Sequence, residues 1–367
     1  MKTYRIVPLV FLLQSCFQSP VDPPMENELK IIWDYAHGIV GDAPPVVSGD
    51  IVYASGGLYL FALNEDDGSL IWQAEVDDDS ELKGQKLLIK GNQIVANHRT
   101  SIRGWNKLNG NLIWTYQYDD TIIEPRQNGN HSVTKDGYAF CAFDRKFFTL
   151  NMNGEKMLSR QMDKQYGILG ITYSNGRLYL GQRNTVTGAL TLGRITALDA
   201  QTGDSLWVFD TDQGGFSWAA PIVEHGVVYA GTYLGSPSRV FALNAETGEK
   251  LWERSGFSTF KIHSSQSKIY VNASGWLYAV NKSDGSIAWQ ITFEGSSFGN
   301  IVYLERYVYH VRSNELVIVD DSTGEIVHRE PVPDGTFFWH VAASSDKVFA
   351  QTSSQLIAYQ PWHLRDE

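Results

Sequence analysis

Residues that could carry catalysis or hold a metal ion are scattered along this 367-residue chain. The nine histidines include no pair at the spacing that zinc sites use, and none lies in a Cys-rich or His-Glu-x-x-His context. The run Asp77-Asp78-Asp79 supplies oxygen ligands of the kind that calcium prefers, whereas Asn64-Glu65-Asp66-Asp67-Gly68 has the composition of a turn. The residue types therefore predict no metal centre and no catalytic residue.

The first of the two cysteines ends an apolar leader. Lys2 and Arg5 precede an apolar stretch over residues 6–13, and Gln14, Ser15 and Cys16 follow it. This arrangement is typical of a signal peptide. The apolar stretch is about half of the roughly 20 residues that a membrane-spanning helix needs, so we expect the leader to be removed.

The segment Leu13-Gln14-Ser15-Cys16 resembles a bacterial lipobox. The resemblance implies a lipoprotein signal peptide over residues 1–15 and a diacylglycerol group attached to the Cys16 thiol, which would tether the protein to a membrane. The proline-containing segment 16–27 suits an extended spacer. An ordinary secretory leader with an incidental cysteine is the alternative.

The composition indicates a folded, acidic protein. Apolar residues make up 43% of the chain and aromatic residues 13%, which is enough for a packed core. The formal net charge is -11, and removal of residues 1–15 with Lys2 and Arg5 would make it -13. Such a charge argues against nucleic acid as a partner.

Short strands recur from Gly49 onward with a period of about 42 residues. The second strand of each repeat can be aligned on Leu63, Leu108, Leu150, Leu198, Leu243, Val280, Val319 and Tyr359. A period of roughly 40 to 45 residues with several short alternating strands indicates a propeller blade. The chain is therefore predicted to be all-β, with a single eight-bladed β-propeller of four-stranded blades over residues 28–367.

A glycine followed four residues later by a tryptophan marks the turn and the outer strand of most repeats. The pairs are Gly68 with Trp72, Gly110 with Trp114, Gly203 with Trp207, Gly248 with Trp252 and Gly285 with Trp289. Two copies are degenerate, with Leu158 and His328 in the tryptophan position. Glycine suits a hairpin turn that needs positive φ, and we expect the tryptophans to pack between blades.

The eighth repeat lacks an outer strand of its own because the chain ends soon after Tyr359. The segment Leu29-Lys30-Ile31-Ile32-Trp33 matches the tryptophan strands but has no preceding strands. Pairing this segment with the last repeat would close the ring and remove the exposed edges of an open array. The sequence therefore predicts closure through the N-terminal strand.

The stretches ALDAQTGDSLW (197–207) and ALNAETGEKLW (242–252) resemble the tryptophan-docking motif of the pyrroloquinoline quinone (PQQ)-type repeat. The similarity covers nearly all of residues 28–360 and implies a quinoprotein-type propeller. Propellers of this type look like two groups, the PQQ-dependent dehydrogenases and non-catalytic lipoproteins similar to the outer-membrane assembly factor BamB. The fold alone does not choose between them.

Other features of the chain resemble the BamB group. Dehydrogenases of this type carry a vicinal cysteine pair, a calcium site and large insertions, whereas this chain has no vicinal pair, no Cys-x-x-Cys-His and little length beyond eight minimal blades. The resemblance implies a protein that supports assembly of outer-membrane β-barrels, without enzymatic activity or cofactor. The partner-contacting loop of that group has no match here, since Phe216-Ser217-Trp218-Ala219-Ala220 has different chemistry.

The innermost strands suggest a polar ring around the central channel. Aligning them on the turn that follows places at one register Pro44, Lys86, His131, Gly170, Ala220, Lys261, Asn300 and His340. The next register is nearly all apolar, as expected where blades pack on one another. The candidate channel ring is Lys86, His131, Lys261, Asn300 and His340, which could bind a small anion or merely contact water.

Aromatic residues cluster just before these inner strands. Trp339, Phe260 and Leu169 lie one position before the polar register, and Trp218, Phe338 and Phe298 lie two positions before it. Such residues could form a protein-binding surface or cap the core beneath the loops. The candidate partner-binding face consists of Trp218, Phe298 and Trp339.

Three functions remain open from the sequence. The preferred one is a non-catalytic lipoprotein scaffold, lipid-anchored in the outer membrane and facing the periplasm, that binds protein partners such as the barrel-assembly machinery as a monomeric propeller. The alternatives are a PQQ-dependent dehydrogenase that uses PQQ and calcium, and a propeller that binds a small ligand or glycan.

Overall fold

The computed structural model describes residues 28–38, 43–56, 58–76, 86–98, 101–118, 131–142, 145–185, 192–217, 219–234, 237–295, 299–312, 314–333 and 336–365. The predicted signal peptide and tether, with Cys16, lie outside the described residues. None of the described helical segments is long and apolar enough to cross a bilayer. Eight antiparallel sheets account for almost all of the regular structure.

The first four blades follow the chain in order, after an N-terminal strand that belongs to the last blade. That strand is β1 (Ile31–Ala36). Blade 1 contains β2 (Val46–Val47), β3 (Ile51–Gly56), β4 (Tyr59–Asn64) and β5 (Leu70–Glu75). Blade 2 contains β6 (Leu88–Lys90), β7 (Gln93–Asn97), β8 (Ser101–Asn106) and β9 (Leu112–Gln117). Blades 3 and 4 contain β10 (Ser132–Val133), β11 (Gly137–Ala142), β12 (Lys146–Asn151), β13 (Lys156–Gln161), β14 (Tyr166–Ser174), β15 (Arg177–Asn184), β16 (Gly193–Asp199) and β17 (Ser205–Asp210).

The last four blades repeat the arrangement, with one extra short strand in blade 5. Blade 5 contains β18 (Gly215–Phe216), β19 (Ile222–Glu224), β20 (Val227–Leu234), β21 (Arg239–Asn244) and β22 (Lys250–Ser255). Blades 6 and 7 contain β23 (Thr259–Ser264), β24 (Lys268–Ala273), β25 (Trp276–Asn281), β26 (Ile287–Thr292), β27 (Ile301–Leu304), β28 (Tyr307–Arg312), β29 (Glu315–Asp320) and β30 (Ile326–Pro331). Blade 8 contains β31 (Phe338–Ala343), β32 (Val348–Thr352) and β33 (Gln355–Tyr359), and a 3₁₀ turn follows at Trp362–Leu364.

The structure is therefore the all-β, eight-bladed propeller that the repeat predicts. Its buried side chains form eight clusters in the described part of the chain, and each cluster lies between two neighbouring blades. The cluster between blades 1 and 2, for example, contains Tyr53, Leu60, Ile94 and Trp105. Because apolar burial drives folding, each blade is stable only against its neighbours.

One detail of the sequence alignment is wrong. Leu108 does not lie on the second strand of the hairpin in blade 2, but in the turn after β8, where its side chain is 57% exposed. The strand pairing gives Trp105 the place that Leu63 has in blade 1, since Asn106 and Asn64 occupy equivalent positions at the end of the strand. Leu108 fits the period but belongs to a solvent-exposed turn.

Each outer-strand tryptophan lies on the glycine turn of the next blade. A Cβ added at Gly68, whose φ is +71°, would lie 2.6 Å from the ring of Trp33. Trp72, Trp114, Trp207, Trp252 and Trp289 crowd the corresponding glycines in the same way, at Gly110, Gly154, Gly248, Gly285 and Gly324. Glycine is therefore required twice at these turns, for its backbone conformation and for the close approach of an indole ring.

The indole N–H of these tryptophans also donates a hydrogen bond to the next blade. Five of them donate to the carbonyl three residues before the glycine, at 2.8 to 3.1 Å, and the acceptors are Glu65, Lys107, Ala245, Lys282 and Asp321. The turn of blade 3 is one residue shorter, from Asn151 to Gly154. There, Trp114 donates to Gln93 Oε1 at 3.1 Å, and Gln93 Nε2 donates to the carbonyl of Met152 at 2.8 Å. Gln93 thus bridges the gap that the shorter turn leaves.

The N-terminal strand closes the ring, as the sequence predicts. Strand β1 pairs antiparallel with β33, with Trp33 opposite Ala358 and Tyr35 opposite Leu356. The ring of Trp33 is 7% exposed and lies against Phe349 of blade 8 and Gly68 of blade 1. The two ends of the chain therefore complete one blade.

His328 replaces a tryptophan at the one interface where the next blade has no covalent hairpin turn. Its ring stacks on Trp362 with 4.9 Å between centroids, and its Nε2 lies 2.8 Å from Glu330 Oε2. The same carboxylate oxygen accepts the backbone N–H of Leu29 at 3.0 Å. His328 and Glu330 thus contact both ends of the chain, Trp362 near the C-terminus and Leu29 at the start of the propeller. Trp362 takes the place of the hairpin turn.

Replacing Trp33 with alanine is expected to lower the free energy of unfolding by about 3–5 kcal/mol, because a buried aromatic ring and an inter-blade hydrogen bond are both lost. Ile32→Ala is the matched control, since Ile32 is 38% exposed on the same strand and should cost about 0.5 kcal/mol or less. Urea denaturation measures both. Equal losses in the two variants would contradict closure through β1.

Candidate functional site

The two ends of the propeller differ in construction. One end carries the short Asn/Asp-to-Gly turns, such as Asn64–Gly68, in which the Asn64 side chain accepts backbone N–H groups of Asp66 and Asp67. We call the other end, where the inner strands begin, the loop face; it carries Lys86, Lys261, Asn300 and His340. In the carboxylate-rich turn of blade 1, Asn64 and Asp67 thus cap the backbone, and Asp66 pairs with Lys347.

The strand pairing places most of the predicted channel ring at one level. Lys261 lies opposite Asn272 and His340 lies opposite Gln351, which are equivalent positions in blades 6 and 8. Lys86 lies two residues before Leu88, and Asn300 lies one residue before Ile301. The pairing of these two strands therefore places Lys86 and Asn300 at the same level. These side chains are half-buried or exposed, whereas the next register along is buried in almost every blade.

His131 lies one residue away from that level. Ser132 pairs with Ala139, which places His131 in the register that packs between blades, where it is 4% exposed and 4.9 Å from the ring of Phe140. The alignment was shifted because the aromatic residues of β11 are Tyr138 and Phe140, whereas the residue equivalent to Tyr53 is Ala139. Burial accordingly lowers the pKa of His131 to about 3.

A hydrogen-bond chain fixes the charge state of His131. The Tyr118 hydroxyl donates to Asn97 Oδ1, which orients the amide so that its Nδ2 donates to His131 Nε2 at 2.9 Å. An accepting Nε2 belongs to a neutral imidazole. His131 is therefore a buried neutral residue between blades 2 and 3 rather than a cation of the channel.

Asn300 connects two inner strands. Its Nδ2 donates to the carbonyl of Val341, and its Oδ1 accepts the backbone N–H of Val341, both at 2.7 Å. Thr172 makes a similar link by donating to the carbonyl of Pro221 at 2.6 Å. Polar side chains of the inner strands thus satisfy the unpaired backbone edge of the next blade, which leaves Asn300 little capacity for a ligand.

The lysines of the ring differ from Asn300. Lys86 is only partly exposed and Lys261 is half-buried, and desolvation lowers the pKa of both ammonium groups. His340 is half-buried on the inner strand of blade 8. The ring therefore retains two lysines and one histidine near the loop face.

The aromatic residues before the inner strands fall into two groups. Phe338, Phe260 and Leu169 are 3%, 7% and 1% exposed, so they cap the core beneath the loops. Trp339 is 45% exposed, and Phe337, which the sequence analysis missed, is 54% exposed. Trp218 and Phe298 lie outside the described residues. The described exposed aromatics of the loop face are thus concentrated at blade 8.

The described residues contain no group of three His, Cys, Asp or Glu residues that could hold a metal ion. Lys86, Lys261 and His340 at the channel mouth are nitrogen donors, whereas calcium takes oxygen ligands. Cys141 is buried, and burial raises the pKa of its thiol to about 12, so it is a neutral core residue.

A serine-hydrolase spacing that the sequence analysis passed over lies in Gly295-Ser296-Ser297-Phe298-Gly299. The nucleophile elbow of hydrolases is a sharp turn from a strand into a helix. This segment instead connects β26 of blade 6 to β27 of blade 7, and residues 296–298 lie outside the described part. The spacing alone therefore supports no nucleophile here.

Comparison with known proteins agrees with this geometry. The model of the family described as outer membrane protein assembly factor BamB matches residues 26–168, 150–273 and 239–362. The chain belongs to this family. BamB of Yersinia pestis is 23% identical over 312 residues, which cover 84% of this chain and 68% of that protein. BamB of Moranella endobia (strain PCIT) is 30% identical over 138 residues, which cover 35% and 34%.

Solved structures show the same fold. The crystal structure of BamB from Moraxella catarrhalis has a TM-score of 0.72 at 16% identity and covers 91% of this chain and 100% of that chain. A quinohemoprotein alcohol dehydrogenase from Pseudomonas putida HK5 has a TM-score of 0.71 at 12% identity and covers 90% and 76%. Because both identities are low, these two structures establish the propeller fold and not a shared activity.

The buried neutral His131 is expected to make stability depend on pH. Its pKa is about 3 in the folded protein and about 6.5 in an unfolded chain. Between these values only the unfolded chain takes up the proton, so stability falls as pH drops from 6.5 towards 3. One such histidine contributes a slope of up to about 1.4 kcal/mol per pH unit.

The variant His131→Gln should reduce this slope, as measured by urea denaturation at several pH values. Ser132→Ala is the control, because it removes the hydrogen bond that Ser132 accepts from the Tyr173 N–H without removing a titrating group. An unchanged slope in His131→Gln would contradict the buried neutral state.

Proposed function

We propose that this protein is a non-catalytic, lipid-anchored scaffold of the cell envelope that supports assembly of outer-membrane proteins through protein–protein contacts. Family membership over residues 26–362 carries the proposal. Relatives that match most of this chain, such as the Yersinia pestis protein, are named as assembly factors. The proposed localisation is the outer membrane, with the propeller facing the periplasm as a monomer.

The exposed aromatic residues of the loop face support a binding role. Phe337 and Trp339 expose about half of their surfaces beside His340, at the start of the inner strand of blade 8. Large aromatic side chains contribute much of the binding energy at protein interfaces. Trp218 and Phe298 precede the inner strands of blades 5 and 7, at the register of Phe338 and one residue before that of Trp339. We propose that these residues form the partner-binding face.

The segment before the propeller supports anchoring. If Cys16 carries the lipid, residues 16–27 form a spacer that spans at most about 40 Å when fully extended. Leu29, just after this segment, is buried against blades 7 and 8, so the spacer ends at a fixed point of the ring. The propeller would therefore stay close to the membrane surface.

Partner binding is tested by alanine substitution on the loop face. Trp339→Ala, alone and with Phe337→Ala, is expected to reduce co-purification of the barrel-assembly subunits at least fivefold while the melting temperature stays unchanged, because both side chains are exposed. Ile287→Ala is the control, since Ile287 is 45% exposed on the rim at β26. Undiminished recovery of these subunits with the double variant would remove this face from the proposal, and their absence with the wild type would overturn the assembly role.

Lipid attachment is tested by labelling cells with radioactive palmitate. The wild type and Cys141→Ala are expected to incorporate the label, since the thiol of Cys141 is buried in the fold. Cys16→Ala is expected to lose incorporation completely. Equal labelling of Cys16→Ala and the wild type would contradict a lipid anchor at this residue.

A further inference from the structure

We infer that the central channel binds a small anion, a phosphate or a carboxylate, through Lys86, Lys261 and His263. This inference is independent of the proposed scaffold role. It changes the sequence-based channel ring by leaving out His340 together with His131 and Asn300, whose polar groups connect blades, and by adding His263.

The three residues lie on opposite walls of the channel. Lys261 and His263 are alternate residues of β23, opposite Asn272 and Tyr270, so they lie on the same face of this inner strand. Lys86 lies two residues before the inner strand of blade 2, β6. Blades 2 and 6 are four positions apart in a ring of eight, and they therefore face each other across the channel.

Three lysines elsewhere in the fold are neutralised by carboxylates. Lys268 lies 2.8 Å from Asp321, Lys282 lies 2.6 Å from Glu224, and Lys347 lies 3.1 Å from Asp66. These three lysine side chains are 15%, 11% and 6% exposed. Burial of a charged group is costly unless it is paired, which explains the pattern.

Lys86 and Lys261 have no such partner in the described part of the chain. Within the described residues, neither ammonium group has a hydrogen bond or a carboxylate within 4.0 Å. The neighbouring amide of Asn272 does not compensate Lys261, because its Nδ2 donates to the carbonyl of Gly299 at 2.8 Å. A protein with a net charge of -11 thus keeps two lysines without a described counter-ion at its channel mouth.

The charge of Lys86 contributes to the pKa of His263 on the opposite wall of the channel. Burial lowers the pKa of His263 to about 4; Glu224 opposes the shift, while Lys282 and Lys86 add to it. Glu224 is itself engaged by Lys282, so it does not neutralise the lysines of the ring.

An anion at this point would supply the missing partner. Positive groups in a channel with protein walls attract anions more strongly than the same groups on an open surface. Charge-assisted hydrogen bonds from ammonium groups to phosphate or carboxylate oxygens are short and strong. His263 could donate a further hydrogen bond from its neutral ring.

The site is tested by isothermal titration of the purified protein with inorganic phosphate and, separately, with sodium acetate, at constant ionic strength. We expect saturable binding of at least one probe by the wild type. Lys86→Met and Lys261→Met should each weaken binding at least tenfold, whereas Lys261→Arg should retain it. Lys250→Met is the control, because Lys250 is an exposed lysine of the outer strand β22.

Thermal unfolding without added anion separates loss of the site from loss of the fold. Lys261→Met should melt at or above the wild-type temperature, since an unpaired, half-buried charge is removed. The proposal is overturned if the wild type binds neither probe saturably, which would mean that the lysines only contact water. It is also overturned if Lys86→Met and Lys261→Met bind as tightly as Lys250→Met.

Discussion

The stacking of an outer-strand tryptophan on a glycine of the next blade is the contact on which the architecture depends. It fixes the distance between neighbouring sheets, because a side chain at Gly68 or Gly110 would overlap the indole ring. It also fixes the position of each sheet along the channel axis, because the indole N–H donates to a carbonyl at one defined position of the turn. Where a turn is one residue shorter, Gln93 restores the link. This repeated contact therefore determines the geometry of the central channel and of the loop face.

A ring built from such directional contacts must be closed at one place by the ends of the chain. Trp33 makes the usual contact from blade 8 to blade 1, although it comes from the N-terminal strand. The contact from blade 7 to blade 8 cannot use a hairpin turn, and His328, Glu330 and Trp362 replace it. Residues beside the N-terminal segment therefore hold the closure, and any load on a membrane tether would act there first.

The fold could be predicted from the sequence because its period and its Gly-Trp pairs are dictated by local physical requirements. The register of individual residues within each blade was less predictable than the fold. Leu108 fits the period but lies in a turn, and His131 lies one residue from its expected level because the aromatic residues of β11 follow a different alternation. The role of Asn300 could not be predicted, because a polar residue that bonds a neighbouring backbone has the same sequence signature as one that binds a ligand. The exposure of Phe337 could not be predicted, because it depends on the conformation of the backbone just before β31.

The function proposed here requires a rigid ring that presents one face to partners while its N-terminal strand carries the tether. Hydrogen–deuterium exchange monitored by mass spectrometry tests this most directly, by comparing residues 29–36 with residues 355–359. The account predicts that both segments exchange together and as slowly as the inner strands of blade 8, because β1 is an integral strand of that blade. Fast exchange of residues 29–36 beside a protected β33 would show that the N-terminal strand frays independently, which contradicts closure of the propeller through its chain ends.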